Sequence, residues 1–427
     1  KYQQAVDCQN KKLASYQQLD DQVNIALAYY QLGNIYQGWG KYEQAISYYE
    51  QSRQLYQQLG KEKDVALRWN WLSDCYIAWG QYQQAVDCQN QNLAIRQQLD
   101  DQVNIADAYF QLGRIYQGWG KYEQAISYYE QSRELYQQLG KEKDVANRWY
   151  SLANCYIAWG QYQQAVDCQN KKLAKYQQLD DKVNIALAYY QLGTIYQGWG
   201  KYEQAINYYE KSRELYEQLG KERDVARGLR RLAYCQILLA KNTANTTEVT
   251  ELLKQAEKNI HQAIEINTLG QYQENLAYDY TKLSLLYSAH LHLLPIDNSS
   301  IPEKIALFEE YYHKGLTYFD ELGQIVNKAE EALDIARVYL EVEILENLDR
   351  SEEIAQECLQ VFQDYNRQKL TASAYKLLGE IHLKRTQQNQ PDNQVIAHQF
   401  LTQSLQIYQD LDLQKQAGEI SMILDNV

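Results

Sequence analysis

Along the first half of the chain, apolar residues recur three and four places apart. The stretches they form are broken every 20 residues by Gly-Lys, Gly-Gln or Asp-Asp. Tyr29, Leu32 and Tyr36, and then Ala45 and Tyr49, share one side of a helix at such spacings. The pattern predicts a first helix ended by Gly40, a second from about Tyr42 to Leu59 ended by Gly60, and another first helix ended by Gly80. Glycine suits these places because it takes the left-handed backbone that closes a helix. Where Asp100-Asp101 replaces the glycine, the second aspartate is expected to cap the helix that follows.

The pattern is an internal repeat. Ala26–Val65, Ala106–Val145 and Ala186–Val225 are copies of one 40-residue unit, unit I; Ala66–Ile105 and Ala146–Ile185 are copies of a related unit II. Lys1–Ile25 matches the last 25 residues of unit II, so that unit's first helix is missing and the natural protein is expected to continue upstream. Unit I reads Tyr29-x-x-Leu32-Gly33-x-x-Tyr36 and later Ala45-x-x-x-Tyr49, and unit II reads Trp69-x-x-Leu72-Ser73-x-x-Tyr76 and later Ala85. Gly33 and Ala45 are expected to be small so that two helix backbones can approach.

These residues resemble the tetratricopeptide signature W-x₂-L-G-x₂-Y…A-x₃-F. The period of 40 exceeds the usual 34, and the terminal proline is absent. Versions of this length are similar to the repeats of Leu-Gly-Asn-type adaptors and of bacterial NLR-like (STAND) sensors. The resemblance implies an all-α, right-handed tetratricopeptide-repeat (TPR) α-solenoid of about nine and a half helix-turn-helix repeats plus a C-terminal capping helix. Near-identical repeats would occupy 1–225, the first of them truncated, and divergent repeats with the cap 226–427. In the divergent part the expected helices are Ala226–Ala240, Glu248–Thr268, Gln271–Leu293, Glu303–Leu322, Glu330–Asn347, Ser351–Asn366, Leu370–Arg385, Val395–Asp410 and a lone Gln414–Leu424.

Composition narrows the function. A net charge of −13 disfavours nucleic acid and anionic membrane as partners, since both demand a basic footprint. No apolar run approaches the roughly 18 residues of a membrane span. Six of the seven cysteines recur at spacings of 13 and 67 and none forms a C-x-x-C pair, which reads as buried thiols in a reducing cytoplasm. Tyr36, Trp39 and Tyr42, with Tyr76, Trp79 and Tyr82, repeat at packing positions and are expected in the core. No nucleotide-binding loop, zinc-protease motif or nucleophile elbow is present, and the His290-x-His292 pair points to two faces of a helix. An enzyme, a metal and a cofactor are all unexpected.

The copies differ in an ordered way. The three unit I copies agree at 32 of 40 positions, and the class-changing differences fall at the second and ninth residues. With the fifth residue, these positions hold Leu27, Asp107 and Leu187; Tyr30, Phe110 and Tyr190; Asn34, Arg114 and Thr194. In unit II they hold Leu67 and Asn147, Asn70 and Tyr150, Asp74 and Asn154, with Trp71 beside them. Arg227, Arg230 and Arg231 occupy the second, fifth and sixth places of the first divergent repeat. Spacings of three and four put these residues on one face of the first helix, away from the stripe at 29, 32 and 36. In tetratricopeptide folds, the resemblance implies, that face lines the concave groove where peptides bind.

Two explanations compete: drift at residues without a packing role, and diversification of a recognition surface. On the second, Tyr30, Phe110, Tyr150 and Tyr190 anchor a protein or peptide ligand, and Asp107, Asn147, Asn154 and Arg114 set specificity. The three arginines would clamp an acidic peptide or a chain terminus, or else pair with Glu222 or Asp224. The expected function is a non-catalytic, ligand-sensing array of a larger bacterial signalling or conflict protein, whose nucleotide-binding switch would lie upstream. A constitutive scaffold and the regulatory array of a TPR-fused protease are the alternatives.

Overall fold

The helical stretches read from the pattern are helices in the computed structural model, which describes residues 2–295, 297–388, 390–411 and 413–425, except that the stretch expected over Glu330–Asn347 stops at Glu341 and is followed by a short 3-10 helix, Glu343–Leu345. The chain divides into two compact units, Lys1–Tyr156 and Ile157–Val427. The first contains α1 (Tyr2–Gln18), α2 (Gln22–Gly38), α3 (Tyr42–Gln58), α4 (Glu62–Ala78), α5 (Tyr82–Gln98), α6 (Gln102–Gly118), α7 (Tyr122–Gln138) and most of α8 (Glu142–Ala158). The second contains α9 (Tyr162–Gln178), α10 (Lys182–Gly198), α11 (Tyr202–Gln218), α12 (Glu222–Lys241), α13 (Thr246–Leu269), α14 (Gln273–Leu293), α15 (Ile301–Glu321), α16 (Ile325–Glu341), α17 (Leu348–Asp364), α18 (Gln368–Gln387), α19 (Asn393–Asp410) and α20 (Gln414–Leu424). In the first unit α1 stands alone before the pairs α2–α3, α4–α5 and α6–α7; in the second, α10–α11, α12–α13, α14–α15, α16–α17 and α18–α19 are paired and α20 closes the described residues.

The turns follow the predicted chemistry. Gly40, Gly60 and Gly80 have φ of +76°, +65° and +80°. At the ends of α1, α5 and α9 the first aspartate itself, Asp20, Asp100 or Asp180, takes a left-handed φ of 48–50°. The second aspartate caps the next helix: the carboxylates of Asp21, Asp101 and Asp181 accept from the backbone N–H of Asn24, Asn104 and Asn184 at 3.1, 3.4 and 3.1 Å. α16 begins at Ile325, before the expected Glu330, because Gly323 at φ +65° closes α15 and frees the chain to re-enter a helix at once.

Three expectations about packing need correction. Gly33 is small because an aromatic ring lies on it: an added Cβ would stand 2.5 Å from the fully buried Tyr49 ring, with 2.6 Å at Gly113 against Tyr129 and 2.7 Å at Gly193 against Tyr209. The tyrosine–tryptophan stripe is a partly exposed ladder instead of core: Tyr36, Trp39, Tyr42, Tyr76 and Tyr82 are half-buried and Trp79 is exposed. Tyr36 stacks on Trp39, and Tyr42 reaches Trp79 of the next unit at 6.3 Å, while Lys41 covers the Trp39 ring from the solvent side. These rings sit at helix ends, where neighbours cover one face only. Finally, Cys8 is exposed, whereas the other six cysteines are buried. Burial pushes the Cys75 thiol up to about 11 and that of Cys88 to about 12, so neither ionises near neutral pH.

Candidate binding face of the first helices

In unit I the fully buried residues of the first helix are the first, third and seventh (Ala26, Ala28 and Leu32), so the second residue faces out. Leu27 is 36% exposed, Leu67 43% and Tyr150 38%, which is unusual for large apolar side chains that near-identical neighbours bury one position away. Arg114, Asn147 and Thr194 are also exposed, whereas Leu187, Asp74, Asn154, Asn34, Asn70 and Trp71 are half-buried.

The stripe is not free of packing. The fifth-residue rings rest on the second helix: Tyr30 lies 6.0 Å from Tyr49 and 5.3 Å from Trp71, Phe110 5.6 Å from Tyr129, and Tyr190 5.3 Å from Tyr209. The ninth residue serves the same tyrosine, whose hydroxyl donates to Asn34 at 2.7 Å in one copy and lies 3.2 Å from the Thr194 hydroxyl in another. Asp107 accepts from the Tyr136 hydroxyl at 2.6 Å and from Arg148 at 3.2 Å.

Arg68 and Arg148, buried at the third residue of unit II, escaped the sequence reading. Each guanidinium donates to a buried serine, Ser52 or Ser132, at 3.0 Å and lies over a fifth-residue ring, Tyr30 at 4.4 Å or Phe110 at 3.9 Å. The signal was available: an arginine kept in both copies directly before a tryptophan, Trp69 or Trp149.

Within Lys1–Tyr156, four stripe residues converge. Leu67, Asn70, Asp107 and Phe110 line a cavity of about 290 Å³ between α4 and α6. Gln89 and Asn92 of α5 also line it, and their buried side-chain oxygens have no hydrogen-bond partner. Buried acceptors are ordinarily paired, so these two are set to accept from something that enters.

Asp74, on the same face, is pushed up from the usual carboxylate range by burial, with Arg114 opposing. A carboxyl whose folded pKa is raised loses stability above that pKa and none below its unfolded value. Asp74→Asn, the residue family of Asn154 in the other copy, should therefore raise the melting temperature at pH 7 and leave it unchanged under strongly acid conditions. Calorimetry at the two pH values checks this.

Within Ile157–Val427 the first helices α10, α12, α14 and α16 line a larger cavity, of about 570 Å³. Here the arginine expectation changes. Arg227 pairs with Asp224 at 2.8 Å, the local partner anticipated as the alternative to ligand binding. Arg230 is buried and donates to Asp279 at 2.9 Å and to the Asn275 carbonyl at 3.2 Å, so most of its charge is spent inside the fold. Arg231 donates through Nε to the Tyr190 hydroxyl at 3.1 Å. Burial alone would raise the Tyr190 phenol, but Arg231 and Arg227 outweigh it and hold it below the usual tyrosine value.

Across the cavity Lys282 bridges Glu331 at 2.8 Å and Asp334 at 3.3 Å. The lining carries five cationic and five anionic side chains, so it is bipolar and not the basic clamp foreseen for an acidic peptide. The acidic wall, on α16, went unread because the divergent repeats offer no second copy for comparison. Among the described residues no group of three or more metal-ligating side chains occurs and no helix is long and apolar enough to cross a membrane.

Comparison with known proteins gives the same architecture. A tetratricopeptide-repeat family model matches residues 1–58, 64–138 and 144–218. No curated protein matches the sequence significantly. Among solved structures, aspartyl phosphate phosphatase F from Bacillus subtilis is similar at 15% identity and a TM-score of 0.52, covering 88% of this chain and 92% of its own. RapI in its apo form aligns at 12% identity and 0.51, over 71% of this chain and 99% of its own. The signal transduction ATPase with numerous domains (STAND) protein with a tetratricopeptide repeat sensor from Pyrococcus horikoshii aligns at 16% and 0.51, over 70% of this chain, which spans only 43% of that protein. Such identities speak for the fold alone. With the signature residues, the paired helices and the family match in agreement, the chain belongs to the tetratricopeptide-repeat family and is an all-helical TPR α-solenoid.

Proposed function

We propose that the chain is a non-catalytic array that binds a protein or peptide along the exposed face of its first helices, as the sensing part of a larger signalling protein. One observation carries this reading. Variable stripe residues of two successive units, Leu67 and Asn70 with Asp107 and Phe110, meet at one cavity beside two buried amide oxygens that lack donors. A peptide backbone supplies the N–H donors that such acceptors lack, and the flanking leucine and phenylalanine offer apolar area for its side chains. Drift accounts for changed residues, but not for their convergence on unmet acceptors. The sensing role is supported by the similarity to the Pyrococcus horikoshii STAND protein, which has a tetratricopeptide repeat sensor.

The test uses a photo-crosslinking amino acid placed at Leu67 and, as a control, at the exposed Glu134 of α7. Adducts with one partner should form from position 67 and not from 134; equal labelling at both would sink the assignment. Against the partner so recovered, Leu67→Ala with Tyr150→Ala should weaken binding by about tenfold or more, as loss of exposed anchors does. Leu67 is 43% exposed, so circular dichroism melts of the Leu67→Ala single variant should stay within a degree or two of wild type.

A further inference from the structure

The 570 Å³ cavity in the second unit carries an inference that does not depend on the protein-binding reading. Its charges are mostly spent on one another: Arg223 with Glu274, Arg227 with Asp224, Arg230 with Asp279, Lys282 with Glu331 and Asp334. Two of opposite sign are left. Arg231 on α12 uses Nε on the Tyr190 hydroxyl, and among the described residues no carboxylate lies within ion-pair range of its two amino groups. Glu330 on α16 likewise has no cation in range. Both line the same cavity, with the rings of Tyr234 and Tyr278. Each ring already carries a cation on one side, Lys282 at 4.5 Å and Arg230 at 5.2 Å.

We propose that this cavity binds a small zwitterion of amino-acid to dipeptide size, its carboxylate on the free amino groups of Arg231 and its ammonium on Glu330. The chemistry selects this class. With Nε engaged, the guanidinium presents its two terminal amino groups as a fork that fits a carboxylate in paired hydrogen bonds. A simple anion would gain Arg231 but face the uncompensated Glu330; a simple cation would meet the reverse. Only a ligand bearing both charges neutralises both residues. The volume falls in the range of small-molecule sites and is several times that of one amino acid. Electrostatics agree: burial, Glu331 and Asp334 push the Glu330 carboxyl up, while Lys282 and Arg231 pull it down. An arriving ammonium would add to that downward pull.

The test is isothermal titration of the full chain with the twenty free amino acids and with glycine-containing dipeptides, each beside its N-acetyl and C-amide derivatives. At least one free zwitterion should bind and lose tenfold or more on blocking either end, the worth of one charge-assisted hydrogen bond. Glu330→Gln, an exposed and unpaired position that should fold normally, should abolish the penalty of N-acetylation alone. Arg231→Gln should abolish the penalty of amidation alone. The proposal is overturned if no probe binds below about 10 mM, if blocked and free forms bind alike, or if N-acetylaspartate binds best, which would mark an anion site.

Discussion

Arg230→Met should destabilise the second unit by about 3–5 kcal/mol, because it strands a buried carboxylate. Asp279 has no exposed surface and has two side-chain donors, of which only the first carries charge: the Arg230 guanidinium at 2.9 Å and the Asn267 amide at 2.6 Å. Asn275 closes the network by donating to Asn267 at 3.1 Å. Burial pushes the Asp279 carboxyl up, and Arg230 is the largest influence opposing that. The sign of the pH dependence follows. With the arginine gone, the penalty is fully present above the raised folded pKa and fades as pH falls through it, so the deficit should shrink on acidification. Stability in a repeat array is nearly a sum of local terms, so the loss should concentrate in α12–α14. Hydrogen exchange of α14 amides is the sensitive measurement. Arg230→Met with Asp279→Asn should recover most of the loss; a double variant as unstable as the single would show that the charge was not the cause.

How much of this was legible in the sequence depends on whether a second copy existed to compare. Helix ends were readable because glycine at +φ and the Asp-Asp pair act locally, through backbone conformation and capping. The outward direction of Leu27, Leu67 and Asn147 was readable from spacing alone. What spacing could not give was the partner of each side chain. Position five looked free because it lies off the 29, 32, 36 stripe, yet Tyr30 rests on Tyr49, a residue of the other helix of its pair. Arg230 looked like a ligand clamp because its counter-ion, Asp279, is 49 residues away on α14. Glu330 and Asp334 were invisible as a wall of the same cavity for the same reason. Contacts within one repeat copy can be inferred by comparing copies; contacts between divergent repeats have no such template.

The pairing of glycine with tyrosine gives the second large effect. Gly113→Leu should cost about 3 kcal/mol or more, at the upper end of what overpacking a full core exacts. On an isolated helix the same change would be favourable by nearly 1 kcal/mol, so its sign tests tertiary contact against propensity. The Tyr129 ring occupies the space: it is buried, its hydroxyl donates to Gln117 at 2.6 Å, and its nearest carbon would stand 2.6 Å from a new Cβ. The ring cannot retreat without breaking that hydrogen bond. The chain itself holds the compensating solution. In unit II the glycine position carries Ser73 or Ala153, and the residue matching Tyr129 is Gln89 or Gln169. A larger first-helix residue is thus tolerated where the ring is replaced by a slimmer side chain. Gly113→Ala with Tyr129→Gln should therefore show a favourable coupling of at least 1 kcal/mol in a double-mutant cycle. Additive single effects, read by urea denaturation, would mean that the two positions are small and aromatic for unrelated reasons.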